Sequence, residues 1–567
     1  MNTMRKVGAP LAALGLAAMA LAGCSKANTA DTKSENTKSR TEIPLVGWKP
    51  VDYDKLTDGG TVNLAVSSDP TGNGNWNPNT SLGANDETNQ VLAPAACGLI
   101  KFKSDGTWEA DEDYAESIKL VSESPETVEV KLNDKAVWED GTPITADDYK
   151  ATFAALSGKD EKFDIASSAG FEDVSSFEVV SPTDFKFTFT DAYADWPNLL
   201  NGAIVPAKIA SDPNAWSKGY VDKPLPSCGP FVASKVDATN HIVTYAKNPK
   251  WWGQAPKLDT ITFKAMDQAT QAQAFTNSEL NAVEVDSDAD GYTMAKGKAD
   301  SVVERSGGLT WTQVTINGLK PGLDDVAVRT AIAKSIDREL MAKTANEPVG
   351  AAAETQGSYI FMPGQAGYTD VVGKNLKFDV DGAKKILTDA GYTDANGTWT
   401  KDGKTLKFSV IVPSGVDTNK ARALQIQQSL KAIDIPIEIQ TVPSDDYFQK
   451  ITDGDYDLAT FSWVGTQFPI STAESLFTPA GKPGGDGQNF SFITDPQLEG
   501  LWKQANTELD EDKRAEIAGQ IDDVISKFVP MVPFAPAPQV FIVDGNLANY
   551  GPAEFQAVDW TEVGYTK

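Results

Sequence analysis

Histidine is almost missing from this chain of 567 residues: there is one, His241. A zinc hydrolase spacing such as H-E-x-x-H needs two and is excluded. A His-based triad would have to use His241, which sits in the strand-like run His241-Ile242-Val243-Thr244-Tyr245 and reads as a solvated strand residue. Cysteine is scarce as well, with three residues. Positive charge is short: 79 acidic residues against 50 basic give a formal charge of −29. Such a surface repels nucleic acid, so no nucleic-acid partner is expected. Beyond the first 23 residues no apolar run reaches the roughly 18 residues a membrane-spanning helix needs. Neither a G-x-S-x-G elbow nor a phosphate-cradling G-x-x-x-x-G-K-S/T loop occurs. Carboxylates are plentiful, but nothing singles out a glycosidase pair. The expectation is a protein that is not an enzyme and carries no cofactor.

What is present starts at the N-terminus. Arg5 and Lys6 precede the apolar run Leu11 to Leu21, and Leu21-Ala22-Gly23-Cys24 follows. A basic start with a short apolar segment is a secretory signal. The cysteine after Leu-Ala-Gly makes it resemble a bacterial lipoprotein signal, cut before Cys24, with acyl chains on Cys24 holding the protein to the outer face of the cell membrane. Residues 24–44 are polar and read as a flexible tether. The remainder is too long for one core, so two or three domains are expected. Cys97 and Cys228 remain as an even pair in an oxidising compartment. They form one disulfide or, alternatively, two buried free thiols.

Along the chain, Thr61–Val66 reads as a first strand, followed by an irregular loop from Ser67 to Thr80 that holds Asn75, Trp76 and Asn77. Val128 to Leu132 and Phe185 to Phe189 alternate apolar and polar residues as half-buried strands do. Thr145-Ala146-Asp147-Asp148 opens a helix through Leu156, with Thr145 as its cap. Val328, Ile332, Ile336 and Leu340 are spaced as one buried helix face. Further on, a strand at Leu406 to Val412, a helix over Leu424 to Ile433, a strand at Ile435 to Ile439, a helix near Tyr447–Ile451 and a strand at Asp457–Trp463 predict a parallel sheet. Ligands bind outside the carboxyl ends of such strands. Trp463 and the turn Val464-Gly465-Thr466-Gln467-Phe468-Pro469 lie at one of those ends. Asp286-Ser287-Asp288-Ala289-Asp290-Gly291 copies the first half of a calcium loop, but the twelfth position is Gly297 where a bidentate Glu is needed, so no metal is expected.

Several longer motifs line up with one family. They are Val137-Trp138-Glu139-Asp140-Gly141-Thr142-Pro143-Ile144-Thr145-Ala146-Asp147-Asp148, Ser227-Cys228-Gly229-Pro230-Phe231, Lys247-Asn248-Pro249-Lys250-Trp251-Trp252-Gly253, Leu323 to Arg338, Ala383 to Tyr392, and Asp455-Tyr456-Asp457-Leu458. In this order, the chain resembles the solute-binding lipoproteins of the dipeptide, oligopeptide and nickel family of ATP-driven importers, from about Thr61 to Tyr550.

The resemblance implies an α/β, periplasmic-binding-protein-like fold: two hinged lobes of the class II (cluster C) type around a cleft, plus an inserted lobe. It divides the chain into a signal peptide (1–23), a tether (24–44), a discontinuous lobe one (45–99, 226–309 and 536–567), an inserted lobe (100–225) and lobe two (310–535). It implies a monomer that captures peptides and hands them to the permease subunits of an ABC importer. A neutral sugar or other small polar solute, or peptide sensing without import, is the alternative. Nickel is disfavoured by the single histidine. Many peptide-binding members carry an Asp for the peptide ammonium in the turn after the matching Trp; here Trp463 matches and Thr466 replaces that Asp. The expected ligand-binding residues are Trp463, Val464, Thr466 and Gln467 on one lobe, Asn75, Trp76 and Asn77 on the other, and Asn489 and Phe490 as a third wall.

Overall fold

The central element of the second half of the chain is a five-stranded sheet in the order Ile437–Val442, Phe408–Pro413, Leu458–Val464, Thr310–Ile316, Met531–Pro536. Its first three strands are parallel, linked by the helices Asp417–Ala432 and Ser444–Thr452, as the alternating pattern predicts. The last two run antiparallel to their neighbours. A large core packs around it, from Leu309 to Ala535, with Val314, Ile332, Val410, Ile426, Leu458 and Trp502 fully buried. The computed structural model describes residues 40–67, 74–394, 397–485 and 487–567. The signal segment and Cys24 lie outside the described residues.

Smaller sheets carry the rest of the described residues. One has the order Thr61–Val66, Thr260–Ala265, Ile242–Lys247, Phe231–Asp237, its first pair parallel. A second is Ala282–Glu284, Gln539–Asp544, Ser301–Ser306, all antiparallel. A third joins Leu56–Thr57, Gly564–Thr566 and Leu547–Ala548. The segment between Cys97 and Cys228 folds on its own antiparallel sheet, Ala115–Glu123, Glu126–Leu132, Asp184–Phe189, Val174–Ser181, around the stacked rings of Tyr149, Phe177 and Phe185. Cys97 and Cys228 are joined by a disulfide, 131 residues apart in sequence, at the neck of this segment.

The chain passes between the three-stranded sheet and the five-stranded sheet twice. Ser301–Ser306 continues through Gly307 and Gly308 into Thr310–Ile316, and Met531–Pro536 continues into Gln539–Asp544. Gly308 has φ +62°, and a Cβ there would lie 2.8 Å from Gln539 Cγ, so the two passes lie against each other where only glycine fits.

Local details match the sequence where the chemistry is local and depart where it is not. The helix Ala146–Leu156 begins with the expected capping box between Thr145 and Asp148. Gly391, φ +88°, ends the helix Val380–Asp389. Leu340 is not core: it is 54% exposed. The helix Val326–Ser335 stops at Ile336, whose backbone is extended, and Asp337 caps a new helix, Arg338–Asn346, so the four-residue spacing is broken. The folded body also starts earlier than a tether of 24–44 implies. Arg40 is 7% exposed and bonded to four groups far along the chain. His241 lies in a turn with φ 56°, exposed, just ahead of the strand Ile242–Lys247.

Candidate ligand-binding cleft

A cavity of about 730 Å³ opens at the carboxyl ends of the parallel strands, within the roughly 300–1,000 Å³ usual for a small-ligand site. Pro413, Trp463 and Val464 reach it from strand ends, and Thr310 and Trp311 from the start of the antiparallel neighbour. Ala537 lines it from the second chain crossing. The other wall is built by Asn75, Trp76, the start of the helix Asp86–Leu92, Gln268, Glu284 and Asp286. Ser167, Phe171 and Asn198 of the segment between the disulfide cysteines contribute a third side.

Trp463 is at the centre of an aromatic group. It stacks on Phe490 with ring centroids 5.8 Å apart and 9° between planes, and meets Phe461 edge-on at 5.1 Å. Its register partner across the sheet is Trp311. Packed rings of this kind hold their geometry and leave one face to the cavity. Val464 beside it is 47% exposed.

Of the residues expected from sequence, Asn75, Trp76, Trp463, Val464, Thr466 and Phe490 line the cavity. Gln467, Asn77 and Asn489 do not; each is occupied by structure. Gln467 Nε2 donates to Phe555 O at 2.9 Å, tying the turn to the C-terminal segment. Asn77 is fully buried, donates to Trp216 O at 3.1 Å and accepts from Asn79. A Cβ on Gly83 would lie 1.9 Å from Asn77 O, so this loop closes only over glycine. Asn489 holds the carbonyls of Pro479 and Ile493, each at 2.9 Å. Thr466 lines the cleft, but its hydroxyl caps the turn: it accepts from Phe468 N at 3.0 Å and lies 3.0 Å from the Thr472 hydroxyl. It offers no charge.

Sequence reading missed the charge of this cavity. Among the described residues, its acidic lining is Asp86, Glu87, Glu284, Asp286 and Asp445, against the single guanidinium of Arg422. Burial pushes Asp286 up to about 7, against the hydrogen bonds from Val540 and Glu284 and the charge of Arg422, and pushes Glu284 well above the usual carboxylate range, with Asp286, Asp86 and Glu87 adding to it. Burial pushes Arg422 down to about 10. The calcium half-loop is divided: Asp288 caps the helix Ala289–Lys296, accepting from Gly291 N at 2.9 Å, while Asp286 lines the cleft. Among the described residues no group of three or more His, Cys, Asp or Glu is placed to hold a metal ion. No helix there is long and apolar enough to cross a membrane.

Hydrogen bonds join the walls. Gln268 N donates to Gly415 O at 3.0 Å, Thr418 Oγ1 to Gln268 Oε1 at 3.2 Å, and Gly487 N to Ser81 Oγ at 3.1 Å. Away from the cavity, Arg514 forms a two-pronged pair with Asp195, its Nη1 at 2.6 Å from Oδ1, and Ala194 N donates to Asn506 O at 2.8 Å.

Two lobes joined by a double crossing, with a cavity between them at strand ends, define the architecture of a periplasmic-binding-protein-like receptor. Residues 109–497 match the model of the bacterial extracellular solute-binding proteins, family 5, and the chain belongs to that family, which acts outside the cytoplasm. The oligopeptide-binding protein OppA of Mycobacterium tuberculosis is 32% identical over 522 residues, covering 91% of this chain and 86% of that one. Among solved structures, the periplasmic EDTA-binding protein EppA superposes with a TM-score of 0.80 at 24% identity, covering 93% of this chain and 99% of that one. The Bacillus subtilis oligopeptide-binding protein AppA, solved with a nonapeptide, superposes with a TM-score of 0.79 at 20% identity, covering 90% and 100%.

Proposed function

We propose that this protein is a lipid-anchored, monomeric receptor that captures peptides in the cleft beside Trp463 and delivers them to the permease subunits of an ATP-driven importer. The observation that carries the reading is the cavity of about 730 Å³ at the strand ends, walled by fixed aromatic rings and by polar groups from both lobes. An extended peptide needs such a mix, with apolar faces for side chains and donors and acceptors for its main chain. The 32% identity to an oligopeptide-binding protein over most of both chains supports the same ligand class. The two chain passes at 306–310 and 536–539 are the proposed hinge, and the hydrogen bonds between the walls are those a closed form would use. Lobe one is then 45–99, 226–309 and 536–567, the inserted lobe 100–225 and lobe two 310–535. The Leu21-Ala22-Gly23-Cys24 segment supports acylation of Cys24 and, through it, anchoring at the outer face of the membrane.

Native mass spectrometry on the soluble form beginning after Cys24, followed by denaturation and identification of what is released, tests the ligand class. A ladder of peptide masses is the expected result. A released sugar, or an empty protein that no peptide of a mixed library stabilises, overturns it. Globomycin-type inhibition of signal cleavage in the native host tests the anchor: the uncut precursor is expected to accumulate, and unchanged processing overturns acylation at Cys24.

A further inference from the structure

No residue between Cys97 and Cys228 is expected in the site from sequence, yet one turn of that segment lines the cleft. Trp196–Leu200 is a short 3-10 turn, and Asn198 in its middle lies on the cavity. Asn198 is half-buried, and its side-chain amide makes no hydrogen bond to any described residue. The amides of Asn75, Asn85 and Gln271 on the same lining are already committed, to Ser217 O, Leu82 O and Met266 O. A primary amide offers a donor and an acceptor side by side, as a peptide unit does. A free one on a cleft wall therefore matches an extended main chain.

The turn is fixed at both ends by groups that do not line the cavity. At its far end Leu99 N donates to Leu200 O at 3.1 Å, two residues from the disulfide. Asp195 precedes the turn, and its backbone oxygen accepts from Asn198 N at 2.9 Å. The Asp195 carboxylate caps no N–H of the turn and takes both prongs of Arg514 instead. These two side chains are 6% and 15% exposed. Arg514 stands on the helix Glu511–Phe528, and its Nε donates to Ala505 O at 2.8 Å on the helix Pro496–Thr507, so the guanidinium is itself held. Ala194 N donates to Asn506 O at 2.8 Å, and Asn506 Nδ2 to Glu474 Oε2 at 2.7 Å. Glu474 ends the helix Pro469–Glu474, which follows the Trp463 turn. A continuous set of bonds thus joins the Asn198 turn to the element beside Trp463. A sequestered two-pronged pair adds little net stability over apolar residues of the same volume, but it fixes orientation.

We propose that Asn198 is a ligand-contacting residue, donating to a carbonyl and accepting from an N–H of the ligand main chain, and that Arg514 and Asp195 are its positioning pair. The segment between the two cysteines is then a wall of the receptor, and the cleft is complete only while that segment is docked on the large core. The contact with a peptide main chain rests on the peptide-binding reading; the positioning does not.

Calorimetric titration of the soluble protein tests this, with penta-alanine and with the pentapeptides of a synthetic library that raise the melting temperature of wild type. Asn198→Ala is expected to weaken binding about fivefold to tenfold, the loss of one or two hydrogen bonds. The Asp195→Asn, Arg514→Gln variant removes both charges, so neither is stranded. It is expected to weaken binding by a similar factor, although neither side chain lines the cavity. Adding Asn198→Ala to it is expected to cost no more than about a further twofold, because the pair acts through that amide. Asn198→Ala within about twofold of wild type overturns the contact, and losses that multiply overturn the positioning. Hydrogen exchange of the ligand-free protein gives a second readout. In the charge-pair variant the amides of Ala194 and Asn198 are expected to exchange at least about tenfold faster than in wild type, with those of Glu126–Leu132 unchanged. Equal rates at Ala194 and Asn198 overturn the positioning even where affinity falls. If no peptide binds wild type, the peptide reading fails and exchange alone decides the positioning. Faster exchange confined to the turn sustains it; unchanged exchange, or protection lost throughout the segment, overturns it.

Discussion

Arg40 Nη2 donates to Glu554 Oε1 at 2.6 Å, with the two side chains 6% and 7% exposed, where the chain crosses from one sheet to the other. The same guanidinium donates to Gly307 O at 3.3 Å, to Gly308 O at 2.5 Å and to Pro363 O at 2.7 Å. One side chain near the N-terminal end of the folded body thus holds the glycine crossing, the C-terminal segment and the large core at once. Arg40→Ala leaves the Glu554 carboxyl buried without its cation and is expected to destabilise the protein by about 3–5 kcal/mol. The Arg40→Ala, Glu554→Gln double variant is expected to recover part of that loss, because the stranded charge is gone. Urea unfolding measures both. A single variant within about 1 kcal/mol of wild type would place this pair with ordinary surface ion pairs.

The Cys97–Cys228 disulfide closes a segment of 131 residues at its neck. Closing a loop of that size restricts the unfolded chain, and such bridges are worth typically 2–4 kcal/mol. The Cys97→Ser, Cys228→Ser variant is expected to unfold at lower urea concentration by that margin. The segment keeps its own aromatic core, so its circular dichroism before unfolding is expected to match wild type.

Trp463→Ala removes the ring stacked on Phe490 at the strand end. Loss of an anchor of this size in a binding site costs about 2 kcal/mol or more, some thirtyfold in affinity. Fluorescence or calorimetric titration with a peptide found bound to wild type checks it. Unchanged affinity with intact folding would assign Trp463 to packing alone.

Four carboxyls, the buried Glu304 and Asp522 and the half-buried Asp286 and Glu474, are pushed up to about 7, in each case chiefly by loss of solvent. In the unfolded chain carboxyls titrate near 4. Between these values the unfolded state gives up protons that the folded state keeps, so stability falls as pH rises from about 4 to about 7 and levels off above. The ligand-free protein is therefore expected to melt at a higher temperature at pH 5.5 than at pH 7.5. Asp522 Oδ1 accepts from Tyr359 N at 2.8 Å, a bond an amide oxygen keeps, while Oδ2, 2.5 Å from the Ser358 hydroxyl, is replaced in Asn by an NH2 donor facing that hydroxyl. Asp522→Asn is expected to reduce the difference between the two pH values, and an unchanged difference would remove Asp522 from the group responsible.

The sequence made legible those features that depend on neighbours along the chain. The strand Thr61–Val66 and the helix Ala146–Leu156 are found where alternation and the Thr145 cap put them. The parallel strands from Phe408 to Val464 follow from strand and helix periods in turn, and that order located Trp463 at a strand end beside the cavity. Leu340 failed because periodicity assumes an unbroken helix, and Asp337 starts a new one. Asn77, Gln467 and Asn489 were placed by proximity to the right turns, but amide side chains in irregular loops are often needed to satisfy backbone carbonyls, which is what all three do. In sequence Asp286 stands out only as the start of a calcium half-loop; the charge of the cavity is a sum over distant segments, with Asp86 about two hundred residues from Glu284 and Asp286. One signal was available: Asp286 follows a strand at its carboxyl end, the same placement that pointed to Trp463.

The strand Leu56–Thr57 pairs with Gly564–Thr566, Leu56 opposite Thr566, and Ala282–Glu284 and Ser301–Ser306 both flank Gln539–Asp544. The sheet that presents Glu284 to the cleft is thus held by a strand made some 255 residues later. During synthesis Ala282–Glu284 and Ser301–Ser306 must wait for this shared partner until just after Met531–Pro536 has completed the five-stranded sheet. A truncation between residues 536 and 539 would leave the five strands of the large core complete and the acidic wall without its central strand, so both walls are closed by two neighbouring strands near the far end of the chain.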